Sequence, residues 1–214
     1  MPASLLLASL LWMSQPGPSL ACVDVPQVPV PAHDDLREVY DSGRSYSDFL
    51  DAATRRVDLW RENTERSAGI DPALVARARA VGGTWYFLAV AIDSCSDSVS
   101  TIPHLARLVA MVEGLDMRVV DPTTGRSIME AHPTRDGRAS TPTVLLLDAS
   151  FEEAGCFIER PPALKSWILA EGFSSAEVYS RKMAWYEEDA GRDTVETFVE
   201  MLEAAAARSQ AICQ

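Results

Sequence analysis

Cysteine is scarce in this chain of 214 residues: four are present, Cys22, Cys95, Cys156 and Cys213. Four are too few for a scaffold built on disulfides, and none stands at metal-ligand spacing. There are three histidines and no His/Cys/Asp cluster in the sequence, nor a glycine-rich phosphate loop. Metal and phosphate chemistry are therefore disfavoured, and neither a metal nor a cofactor is expected. Positive charge is also short, with 19 Lys and Arg against 31 Asp and Glu and a net charge of −12. That balance argues against nucleic acid and anionic membrane surfaces as partners. No repeat and no long low-complexity stretch is present, and no segment beyond residue 21 reaches the length of about 20 apolar residues that spans a bilayer.

The first 21 residues lack charge altogether. Leu5 to Met13 is an apolar run, too short to cross a membrane, and Pro16-Gly17-Pro18 breaks it. Ser19-Leu20-Ala21 then supplies small residues where a signal peptidase reads. Residues 1–21 are thus expected to be a signal peptide and the mature protein to be exported, periplasmic or secreted, although no Lys or Arg precedes the run. Cys22 follows the cleavage point, so a lipid anchor there is the alternative to a free thiol. The match to a lipobox is poor, because Ser19 and Leu20 hold positions that want a large aliphatic and a small residue. Residues 22–32 space Pro26, Pro29 and Pro31 along an extended tether.

What is present centres on Cys95. Trp85 to Ile92 is a continuous apolar and aromatic run bounded by Gly82-Gly83, the pattern of a strand buried on both faces. After it, Val99, Ile102, Leu105, Ala106, Val109 and Val112 recur at helical spacing. Cys95 stands where strand hands over to helix, and first-turn N–H groups and the helix dipole favour a thiolate there. Asp93 and Asp97 flank it and oppose that charge, with no Lys, Arg or His between Val90 and Ser100. His104 is expected at the surface.

Cys95-Ser96-Asp97-Ser98, Pro103 five residues after Ser98, and Thr141-Pro142 opening Thr143 to Asp148 together resemble the thioredoxin family. The resemblance covers roughly residues 33 to 208. It implies a thioredoxin-like α/β fold, a central mixed sheet flanked by helices, with an N-terminal helical extension and a C-terminal helix. It implies a cis peptide bond before Pro142, facing the thiol. Cys95 takes the place of the first motif cysteine and Ser98 that of the second, while Ser94 replaces the usual tryptophan and Ala89 the usual buried acid. Trp185-Tyr186 and Asp189-Ala190-Gly191-Arg192 echo bacterial members that carry such a segment before a last helix.

A hydroxyl does not resolve a mixed disulfide, so Ser98 leaves half of the dithiol cycle. Two functions follow. One is monothiol exchange through Cys95 with protein or small-molecule thiols and disulfides, Ser98 standing at the second catalytic position. The other is a redox-silent module that binds an extended peptide in the groove formed by Thr141, Pro142 and Ser94. Arg135 and Arg138 lie in the loop before that groove, where they could meet an acidic partner.

The expected organisation is a helical extension over 33–81, a thioredoxin-like domain over 82–208 and a tail over 209–214. Within the extension, a short helix ends at Ser42-Gly43. A longer one, capped by Ser45, puts Tyr46, Phe49, Leu50, Ala53, Val57 and Trp60 on one face, and a third starts at Asp71-Pro72. Later helices are expected from Ala163, from Ser174 and over Thr194 to Ala207. Cys156 is expected mid-strand, as a small buried free thiol. Cys22 and Cys213 are candidates for pairing across the surface, but four cysteines allow three complete pairings and the sequence does not choose among them.

Overall fold

A computed structural model describes residues 33–172, 174–207 and 212–213. The expected signal peptide, the tether with Cys22 and most of the tail lie outside the described residues.

The strand β1 (Trp85–Val90) is central because every side chain from Phe87 to Val90 is apolar and each is wholly buried. It pairs in parallel with β2 (Leu115–Val120) and antiparallel with β3 (Thr143–Leu147). A hairpin joins β3 to β4 (Glu153–Ile158), and β5 (Ile212–Cys213) lies parallel to β4, so the sheet runs β2-β1-β3-β4-β5. A parallel pair needs a crossover, which the helix α5 (Ser96–Met111) supplies between β1 and β2.

Side chains alternate across the sheet, and helices cover both sides. Phe87 and Ala89 face a core with Trp60, Ile102, Leu105, Phe157 and Phe198. That side is built from α3 (Val57–Arg66), α4 (Pro72–Val81), α5 and α9 (Arg192–Ala206). Leu88 and Val90 face the other core, with Leu36 and Tyr40 of α1 (His33–Ser42) and Ile128 of α6 (Arg126–Ala131). The thioredoxin-like architecture expected from the sequence is the one observed. The extension is integral to it, since Trp60 is fully buried in the same core as Phe87.

Two boundaries depart from expectation. The helix after Ser45 is α2 (Tyr46–Ala52) alone, and α3 begins only at Val57. Asp93 Oδ2 accepts the Thr54 and Arg55 amides at 2.8 and 2.9 Å and so fixes the break, with Arg56 left-handed at φ 50°. Burial alone would raise the Asp93 carboxyl, but these hydrogen bonds outweigh it and hold the group below the ordinary range. At the other end of β1, Ile92 has left the strand and is exposed.

Pro103 sits inside α5 and cannot donate to the Val99 carbonyl one turn back. Asn63 of α3 repairs the gap: its Nδ2 donates to Val99 O at 2.9 Å in a buried position. His104, expected at the surface, is 4% exposed. It packs against the start of α9, where a Cβ on Gly191 would stand 2.2 Å from its Nδ1. Burial, aided by the charge of Arg66, lowers the His104 imidazole to about 4, so it is neutral near pH 7.

Candidate functional site

Cys95 is the N-cap of α5 and a free, half-buried thiol. Its Sγ accepts the Ser98 N–H at 3.4 Å and its S–H donates to Thr141 O at 3.1 Å. The Thr141–Pro142 peptide bond is cis. Cys95, Thr141 and Pro142 therefore meet in space across 46 residues of chain. The Thr141 amide N–H has no hydrogen-bond partner among the described residues and stays available to an extended ligand.

Ser98 contributes its backbone. Its side chain is fully buried and Oγ has no hydrogen-bond partner among the described residues, so the hydroxyl does not face an incoming substrate. Ser94 is exposed and also acts through its backbone, its carbonyl accepting from Arg56 Nε at 2.7 Å. Arg56 reaches on to Tyr179 Oη at 3.0 Å, which ties the loop before the motif to α8 (Ser175–Asp189).

The acidic flank of Cys95 is not the bare pair of charges that the sequence suggests. Asp93 turns away to the break between α2 and α3. Asp97 is 4% exposed and lies among cations: Lys182 Nζ donates to Oδ2 at 2.5 Å and Arg160 Nε to Oδ1 at 3.1 Å. Tyr186 Oη donates to Oδ1 at 3.1 Å. Burial, then the Asp97 charge, pushes the Tyr186 phenol well above its ordinary range, so it stays a donor. Arg160 also binds Glu159 at 3.1 Å, so buried Lys182 and part-buried Arg160 face two carboxylates. A balanced buried cluster fixes geometry more than it stabilises. Lys182 and Tyr186 stand 85 and 89 residues from Asp97, and nothing local announces the contact.

The Trp-Tyr and Asp-x-Gly-Arg echoes acquire physical roles in this arrangement. Tyr186 holds Asp97, Asp189 accepts the Asp193 amide at the start of α9, and Gly191 makes room for His104.

Cys156 also departs from expectation. It is wholly buried and disulfide-bonded, where its mid-strand place favoured a free thiol and the sequence left its pairing open. The β4–β5 register sets Cys213 opposite it. His132 and Glu153 lie within 4.8 Å of its sulfur, a grouping that could in principle hold a cation. A disulfide sulfur is no thiolate ligand, however. Both His132 nitrogens are also engaged, Nδ1 with Ile128 O at 2.8 Å and Nε2 with the Glu153 carboxylate at 3.0 Å. Burial would lower this imidazole, but Glu153 outweighs it and raises the group above its ordinary value.

Beside the motif lies a cavity of about 880 Å³, walled by Ile158, Glu159 and Arg160 from the end of β4, by the 133–138 loop, and by α7 (Pro162–Glu171). Glu159 N donates to Pro142 O at 2.8 Å, so this wall adjoins the cis-proline. Arg138 is paired with Asp136 at 2.7 Å and with Glu159 at 3.4 Å.

Strand order, the crossover helix starting at a cysteine, and a proline opening β3 beside that cysteine define a thioredoxin-like protein. The family model described as Thioredoxin matches residues 43–178, and the chain belongs to this family. Among solved structures, a protein of unknown function from Pseudomonas aeruginosa is similar at 19% identity. The match covers 79% of this chain and 97% of that one, with a TM-score of 0.63. An HIV epitope scaffold is similar at 17% identity, covering 78% and 97%, also at 0.63. At such identities the likeness concerns the fold alone. No curated protein matches the sequence.

Proposed function

We propose that the protein is an exported monothiol exchanger in which Cys95 forms mixed disulfides with protein or small-molecule thiols and disulfides. The observation that carries this is the free Cys95 sulfur, capped by the Ser98 amide and set against Thr141 beside Pro142. In the first step the Cys95 thiol loses its proton to solvent, and its sulfur attacks one sulfur of a substrate disulfide. The Cys95–S–S bond forms, the substrate S–S bond breaks, and the second substrate sulfur leaves as a thiolate. An external thiolate then attacks the substrate sulfur of the mixed disulfide and releases Cys95. Ser98 takes no covalent part. The Ser98 N–H and the positive end of α5 are placed to receive negative charge on the Cys95 sulfur. The Cys156 disulfide suits an oxidising compartment and supports export, with a lipid anchor at Cys22 as the alternative form.

A second reading has its own support. The unpartnered Thr141 N–H can pair with an extended peptide whether or not Cys95 reacts, which suits a redox-silent binding module. An aromatic disulfide such as 5,5′-dithiobis(2-nitrobenzoate) separates the two. In a Cys22→Ser background, the folded, oxidised protein should release one equivalent of thionitrobenzoate, and the further change Cys95→Ser should abolish it. No release from the folded Cys22→Ser protein would leave only the binding module. Ser98→Cys, which restores the dithiol, should gain disulfide reductase activity on insulin.

A further inference from the structure

Arg135, Arg138, Arg160 and Lys165 face the cavity next to the motif, against Asp136 and Glu159. Both carboxylates are already taken by Arg138 and Arg160. Arg135 and Lys165 are left with no hydrogen-bonding or ion-pair partner for their side chains among the described residues. Lys165 is half-buried, and its ammonium is pushed down chiefly by burial and also by the nearby Arg160 charge, against the pull of Glu159. In a chain with a net charge of −12, a recess with two cations held in no ion pair among the described residues is a local reversal of sign. The recess is also apolar in part: Ile158 lines it, and so does Leu169, which is 67% exposed.

We propose that this cavity binds an acidic, apolar segment of an extended polypeptide, seating a glutamate or aspartate side chain on Lys165 and Arg135 and an apolar neighbour on Leu169. The position supports a peptide over an isolated anion. The Ile158–Glu159 wall is one strand away from Pro142, since Thr143 and Ile158 are register partners and Glu159 N binds Pro142 O. A chain paired with the free Thr141 N–H therefore passes alongside the recess. Alternate side chains of an extended segment point the same way, so an acid and an apolar residue at suitable spacing can both enter. Partner selection by charge at the rim of a backbone-pairing groove separates specificity from the reacting sulfur. In function this rests on exchange at Cys95, because the bound segment would deliver its disulfide there, but the binding itself does not need the thiol.

The test uses full-length Cys95→Ser, so that a failure of thiol chemistry does not bear on it. A fluorescein-labelled heptapeptide alternating glutamate with leucine is titrated by anisotropy beside its glutamine–leucine counterpart. The acidic peptide should bind about tenfold more tightly, and less so as salt rises. Replacing Lys165→Gln and Arg135→Gln together should reduce the preference to about twofold or less, with unchanged circular dichroism and melting temperature. Equal binding of both peptides by the parent, or a preference retained in the double variant, would overturn the proposal. Thionitrobenzoate release by the Cys22→Ser protein, measured separately, reports on Cys95 alone.

Discussion

Two sulfur atoms on one sheet meet opposite fates. Cys95 follows the end of β1, where the chain turns into α5, and its sulfur meets an amide, a carbonyl and solvent. Cys156 lies within β4 beside Leu145 of β3, wholly buried and disulfide-bonded. A strand end exposes unpaired backbone and adjoins a helix N-terminus, whereas the middle of β4 encloses its sulfur between neighbouring strands, with His132 and Glu153 close by. The two buried histidines repeat the contrast. His104 has only burial and a repelling Arg66, while His132 is matched by Glu153. Place in the fold, more than residue type, decides which group stays reactive or charged.

The largest effect that would break the comparison concerns the thiols. In the folded, oxidised protein, iodoacetamide should modify Cys95 and leave Cys156 untouched until the disulfide is reduced in denaturant. Peptide mapping by mass spectrometry reads both. Modification of Cys156 under native conditions would erase the distinction.

The next effect concerns the cluster that holds the motif. Asp97→Ala leaves Lys182 and Arg160 short of a buried counter-charge and should cost about 3–5 kcal/mol in urea unfolding. Replacing exposed Asp136, whose bond to Arg138 is at the surface, should leave the urea midpoint nearly unchanged. Similar losses would mean that the buried cluster is not what fixes the start of α5.

A smaller effect tests the repair around Pro103. Asn63→Leu should destabilise by about 1–3 kcal/mol, because it leaves the Val99 carbonyl buried without a donor. In a Pro103→Ala background, residue 103 donates to that carbonyl itself, and the same Asn63→Leu change should cost clearly less. A double-mutant cycle with no coupling would sink this account.

How much of this was legible in the sequence follows the range of each interaction. β1 and α5 are local signals, an apolar run and a helical period, and both stand where the pattern puts them except that β1 ends before Ile92. Thr141-Pro142 was legible as the opening of β3 through the family resemblance, which sets a proline before that strand. The partners of Asp97 were not, since Lys182 and Tyr186 come from a helix distant in sequence and show only ordinary surface-helix composition. Asn63 was equally silent: a lone asparagine in a polar helix reads as solvated until Pro103 is seen to need a donor. The break between α2 and α3 was hidden for the same reason, because the carboxylate that caps it, Asp93, comes from beyond β1. His104 was misplaced by a rule about average exposure, while the room for it comes from the glycine at 191.

The smallest effect sharpens the contrast between the histidines. His104 is lowered to about 4 in the folded protein, against about 6.5 when unfolded. The unfolded chain then binds more protons between those values, so stability is full above about pH 6.5 and falls as pH drops toward 4, with a limiting slope of about 1.4 kcal/mol per pH unit. His132 has the opposite sign. Its raised folded value gives stability that is full below about pH 6.5 and is lost as pH rises through that folded value. Urea unfolding from pH 7.5 to 4.5 should therefore show a shallower acid loss in His104→Leu than in wild type, and a steeper one in His132→Gln. The difference lies in the slopes and not in the absolute stabilities, which both substitutions lower by disturbing buried packing. Parallel slopes for all three proteins would mean that neither imidazole changes its proton affinity on folding, and the contrast between the two faces would reduce to the cysteines alone.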